Sequence, residues 1–122
     1  MKTILLVSHG SRVPESITVC EKVKNDLENL INDKIELCYM ELSKPSIEEK
    51  VEELYNKGYR NIIVLPFFLF EGMHIKMDIP KILEELAKKF KISFCMAKPI
   101  GYDKRLAYIL KERLDEVGES CV

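Results

Sequence analysis

Tryptophan is absent from the 122-residue chain, histidine occurs only twice, and none of the four cysteines (Cys20, Cys38, Cys95, Cys121) forms a CxxC pair. Without that spacing neither a zinc ribbon nor a dithiol redox motif is expected. Cys20, Cys38 and Cys95 fall on apolar periodic segments and read as small buried hydrophobes in a reducing compartment. Cys121 belongs to a tail expected to fray from residue 118 onward. No apolar run approaches the roughly 20 residues of a membrane span. The short apolar opening, Thr3 to Val7, meets His9 and Gly10 with no small-residue cleavage site, so it reads as a first strand, and a cytoplasmic location is expected. A basic excess is also lacking: the formal net charge is −1, which argues against a general nucleic-acid binder. There is no GxxxxGK[ST] phosphate loop, so no nucleotide is expected to take part.

Hydrophobic residues make up 47% of the chain and charged residues 32%, which suits one globular domain over residues 1–122 rather than a disordered chain. Continuous apolar runs at 3–7, 35–40, 61–65 and 92–96 read as buried strands. Between and after them the apolar residues fall at helical spacing. The first helix carries Cys20, Val23, Leu27 and Leu30, and the second carries Ile47, Val51, Leu54 and Tyr55. The third carries Ile79, Ile82, Leu83, Leu86 and Phe90, and the last carries Leu106, Leu110, Leu114 and Val117. Pro14 and the pair Pro45–Ser46 mark helix starts, and Gly58 and Gly118 mark ends. The order βαβαβαβα predicts an α/β fold: a single four-stranded parallel sheet flanked by helices on both faces.

Ligands of open parallel sheets bind outside the carboxyl ends of the strands. Those ends carry "SHGSR", "ELSKPS", "PFFLFEGMH" and "AKPIGYD", so His9, Glu41 and the loop leading to His74 are expected on one edge. Two imidazoles suit cobalt, nickel, iron or zinc, but two ligands do not close a protein site, which favours transient handling of an ion. Glu41 reads as a base or third ligand, and Glu71 as a weaker candidate. Arg12, Lys44, Lys76 and Lys98 flank the same edge and together suit a polyanionic small molecule. Phe67 or Phe68 is expected in the core, and the rest of the apolar set, Leu69, Phe70, Met73 and Met77, is expected as an exposed patch for a flat ligand or a dimer partner.

The segments "LLVSHGSR", "YMELSKPSIEE" and "IIVLPFFLFEGMHIKMDIP", in that order, resemble the small archaeal sirohydrochlorin chelatases, the short class II chelatases, over roughly residues 1 to 100. The resemblance implies a half-domain that works as a homodimer with a cleft between subunits. It implies insertion of Co²⁺ or Ni²⁺, as substrate ion, into sirohydrochlorin, with iron not excluded, no permanently bound cofactor, no nucleic acid and no membrane. His9 and His74 are then the metal-binding and catalytic histidines, with Glu41 beside them. Ser11, Arg12, Lys44, Phe70, Gly72, Met73 and Lys76 are the expected substrate-binding residues. A non-catalytic dimeric tetrapyrrole- or metal-binding module is the rival. A phosphohistidine-type phosphatase is a weaker one, because Ser8 stands where that chemistry wants an arginine.

Overall fold

The computed structural model describes residues 2–118, apart from the side chain of His74. The expectations for Cys121 and the tail beyond Gly118 lie outside the described residues. Strands β1 (Lys2–Ser8), β2 (Ile35–Tyr39), β3 (Asn61–Pro66) and β4 (Ser93–Met96) alternate with helices α1 (Pro14–Ile31), α2 (Ile47–Asn56), α3 (Ile79–Phe90) and α4 (Arg105–Val117). A five-residue π-helical segment, His74–Asp78, leads into α3. All pairings are parallel and the sheet order is β2-β1-β3-β4. The chain moves one way from β1 to β2 and the other way from β2 to β3 and β4. Right-handed crossovers therefore put α1 on one face and α2 and α3 on the other.

Register and alternation assign the faces. Leu5 and Val7 pair with Val64 and Pro66 of β3 and with Glu36 and Cys38 of β2. Leu5, Val7, Cys38, Ile62 and Val64 form the main core with Ile47, Val51 and Leu54 of α2 and Ile79, Leu83 and Leu86 of α3. Burial pushes the Cys38 thiol up, as expected of an inert core cysteine. On the opposite face Cys20 of α1 packs against Ser8, sulfur to hydroxyl 3.3 Å.

Local signals behave as their chemistry dictates. Pro14 opens α1, where a missing N–H costs nothing. Ser46 caps α2 in a reciprocal capping box with Glu49. Glu28 accepts the N–H of Ile35 at 2.8 Å and so ties the end of α1 to the start of β2. Lys50 reaches Glu36 at 3.3 Å and Glu53 at 2.8 Å. Burial opposes its charge, but the bonds to Glu53 and Glu36 outweigh that and hold its pKa above the ordinary value.

Two expectations need correction. Cys95 lies on β4 but is exposed. It shares a face with Ile63, Ile4 and Ile35, the face that α1 covers only over β1 and β2. Over β3 and β4 that face is left as a hollow of about 420 Å³ lined by Lys2, Asn61, Ile63, Ser93 and Cys95. The apolar spacing of α4 is real, yet none of its residues is buried: Leu110 is 69% and Leu114 72% exposed. The helix forms, but among the described residues nothing buries its stripe beyond the half-buried Leu106.

Ser46→Ala removes one half of the capping box and is expected to cost about 1 kcal/mol in urea unfolding at neutral pH. The backbone N–H of Ile35 holds the Glu28 carboxyl below its ordinary 4.5. Its folded pKa is depressed, so its contribution is full above 4.5 and is lost as pH falls through the lower folded value. Glu28→Gln should therefore be less stable than wild type at neutral pH, with the gap closing in acid melts below 4.5.

Candidate functional site

The sheet order reverses between β1 and β3, so the crevice expected of an open parallel sheet lies beyond the carboxyl ends of those two strands. His9 follows β1 there. Its Nε2 lies 2.8 Å from Oε1 of Glu41, at the end of β2. Its ring meets Phe68, beyond β3, edge to face at 6.5 Å between centroids. Three loops from three strands thus meet at one imidazole, which remains 42% exposed.

Backbone bonds hold those loops together. The N–H of Met40 donates to Ser8 O and that of Glu41 to His9 O, which extends the parallel pairing past the end of β2. Ser43 Oγ accepts the N–H of Ser11 and donates to Ser11 O. Gly10 adopts φ +101°, and a Cβ at this position would overlap the Glu41 carbonyl oxygen. Only glycine allows this approach without strain. On the other side, Phe67 N–H donates to Val7 O, while Ile100 and Gly101 donate to the carbonyls of Phe68 and Leu69. The apolar loop therefore needs no solvated turn, because its backbone is paired with its neighbours.

The Glu41 Oε1 and the Gly10 carbonyl oxygen, 2.8 Å from Nε2 and 3.2 Å from Nδ1, can only accept, so each His9 ring nitrogen faces an oxygen acceptor and donates to it when it carries the proton. A carboxylate holding the far N–H of an imidazole is the usual support of a metal-binding histidine. Among the described residues no three His, Cys, Asp or Glu side chains converge as a cation site.

The other expected residues spread around this centre. Leu69, Phe70 and Met73 are exposed, whereas Phe68 packs against the core. The Gly72 carbonyl accepts the N–H groups of Ile75 and Lys76 and starts the π-helical segment. His74 is the first residue of that segment; the expectation for its ring lies outside the described residues. Lys76, Lys98 and Glu71 line a pocket of about 390 Å³ with Ile75 and Met96. Arg12 is exposed beyond Ser11. Lys44 lines a different groove, against α1 and β2 with Glu21 and Lys24.

Sequence reasoning missed two residues here. Ser43 carries the stitch to Ser11, and its hydroxyl has no periodicity to betray it. Leu42 has φ +66°, and the N–H of Ser43 donates to Glu41 O across it at 2.8 Å. It is the centre of a γ-turn of the rarer, positive-φ hand, a strained form that leucine gives no hint of.

A family model described as CbiX matches residues 3–117. The chain belongs to the CbiX family. A sirohydrochlorin cobaltochelatase from Sulfurisphaera tokodaii is 44% identical over 120 residues, covering 98% of this chain and 97% of that one. Another from Methanopyrus kandleri is 32% identical and covers 98% and 99%. The crystal structure of the sirohydrochlorin chelatase SirB from Bacillus subtilis subspecies spizizenii, in complex with cobalt, superposes with a TM-score of 0.85 at 28% identity, over 95% of this chain and 50% of that one. This CbiX chain therefore spans half the length of SirB. No helix among its described residues is long and apolar enough to cross a membrane.

Gly10→Ala combines a positive φ with a clash against the Glu41 backbone and should destabilise the fold by at least about 2 kcal/mol in thermal or urea unfolding. A variant as stable as wild type would show that the two loops are not held by this approach.

Proposed function

We propose that this protein inserts a divalent metal ion, Co²⁺ foremost, into sirohydrochlorin without using a nucleotide. The observation that carries the proposal is the carboxylate-supported imidazole of His9, at the switch point of the sheet, in a chain 44% identical over nearly its whole length to a sirohydrochlorin cobaltochelatase. Ni²⁺ is an alternative substrate ion that imidazole accepts equally well.

In this reading the ion binds the His9 imidazole by taking the place of one of its two oxygen contacts, while the other contact keeps the ring oriented. His74, opening the π-helical segment beyond the apolar loop, supplies the second imidazole and helps strip the hydration shell. Two pyrrole N–H protons leave as two metal–nitrogen bonds form, and a histidine or Glu41 accepts them on the way to solvent. Phe70 and Met73 cover the flat face of the macrocycle. Ser11, Arg12, Gly72 and Lys76 contact its rim, and the Lys76–Lys98 pocket suits its carboxylates. Lys44 lies against α1 and β2, and its part in this reading depends on reach from that side.

A second copy of the chain is proposed to close the cleft. The support is complementary: α4 presents Leu110, Leu114 and Val117 to solvent, and the β3–β4 half of one sheet face is bare. The double length of SirB fits a two-unit arrangement. Sedimentation should give a dimer for wild type and a monomer for Leu110→Asp/Leu114→Asp.

Adding Co²⁺ to the protein and sirohydrochlorin should change the absorption spectrum with many turnovers per protein. His9→Ala and His74→Ala should each slow insertion by about 100-fold or more while melting near the wild-type temperature. Near-wild-type rates in both would overturn the assignment. A spectral change that stops at one equivalent would favour the binding module, and phosphate release from an ester would favour the phosphatase.

A further inference from the structure

The side chains of His9 and Glu41 are 42% and 54% exposed, so burial does not fix their 2.8 Å contact, and an ion pair this open to water does not hold its own geometry. The backbone on either side must set it. On the strand side two ladder bonds do so, Met40 N–H to Ser8 O at 2.9 Å and Glu41 N–H to His9 O at 3.0 Å. Beyond the pair the ladder stops. Gly10 turns at φ +101° and Leu42 at φ +66°, and the N–H of Ser43 is spent on Glu41 O. Ser11 is left with no backbone partner among the described residues.

One hydroxyl replaces the missing rung. Ser43 Oγ accepts the N–H of Ser11 at 2.9 Å and donates to the Ser11 carbonyl at 2.8 Å, a double role that a hydroxyl fills, a thiol fills poorly and a methyl group cannot fill. Ser11 in turn accepts the N–H of Val13 on its own Oγ at 3.0 Å, directly before Pro14 opens α1. The two loops are thus tied on both sides of the His9–Glu41 pair, and the outer tie is carried on to a helix, the rigid support that a reacting group needs. We propose that Ser43 is a positioning residue for metal insertion: its hydroxyl holds the loops of His9 and Glu41 at the separation that keeps imidazole and carboxylate in contact. It acts through the Ser11 backbone and not on the reacting atoms. Its role rests on the chelatase reading and names what keeps that site in register.

In the full-length protein, Ser43→Ala and the near-isosteric Ser43→Cys should lower kcat for Co²⁺ insertion about tenfold, with KM for sirohydrochlorin little changed and melting close to the wild-type temperature. Ser43→Thr keeps the hydroxyl and should restore the rate. Glu41→Ala should be slow by itself, and adding Ser43→Ala to it should cost at most about a further twofold, because the pair that Ser43 positions is already gone. Wild-type kcat in Ser43→Ala would overturn the assignment. So would losses that multiply in full in the double variant, a Ser43→Thr as slow as Ser43→Ala, or a raised KM with kcat intact, since Ser43 would then serve the fold or substrate binding alone. If Ser43→Ala does not fold, Ser43→Cys carries the same comparisons. A wild-type protein that does not metallate sirohydrochlorin would remove the chelatase reading itself, and the role of Ser43 with it.

Discussion

The contact on which the site depends is the close approach of Gly10 to the carbonyl of Glu41. Strand pairing alone would bring β1 and β2 to the same edge and leave their loops to diverge. With no side chain at residue 10, the backbone of the second loop lies directly on the first, and backbone and hydroxyl bonds lock it there. The short distance from His9 to Glu41 follows from that. The imidazole is then oriented by main chain and sheet, which is the rigid support a reacting group needs.

The same edge is built differently on its other flank. The loop after β3 is apolar enough to collapse, yet its carbonyls are taken by Ile100 and Gly101 and its first N–H by Val7. It therefore stays extended beside His9 and leaves Leu69 and Phe70 at water. The result is a greasy rim around one polar group, consistent with the flat macrocycle on which the named CbiX relatives act.

Much of this was legible in the sequence. Runs of β-branched and aliphatic residues located every strand within a residue or two, and the helix faces at 47–55 and 79–90 proved to be core. The meeting of His9 with Glu41 followed from topology, because parallel strands send their loops to one edge. What the pattern could not disclose was what covers an apolar face. The stripe at Leu106, Leu110, Leu114 and Val117 looks like that of any packed helix, and Cys95 looks like any strand cysteine, but Leu110, Leu114, Val117 and Cys95 are exposed. Nor did it disclose the turn at Leu42 or the π-helical segment at His74–Asp78, since tertiary bonds hold these and no Gly or Asn signal marks them.

The two outer strands differ in a way that bears on how copies of the chain meet. β2 lies at one margin with Lys50 clamped to Glu36 and Lys34 3.9 Å from the same carboxylate, so charge stands where another strand would have to dock. β4, at the opposite margin, is only four residues long. Neither margin invites the sheet to extend sideways into a fibre or ribbon. Apolar residues at water include those of α4 and of the loop after β3, so contact between copies is steered away from the strand margins.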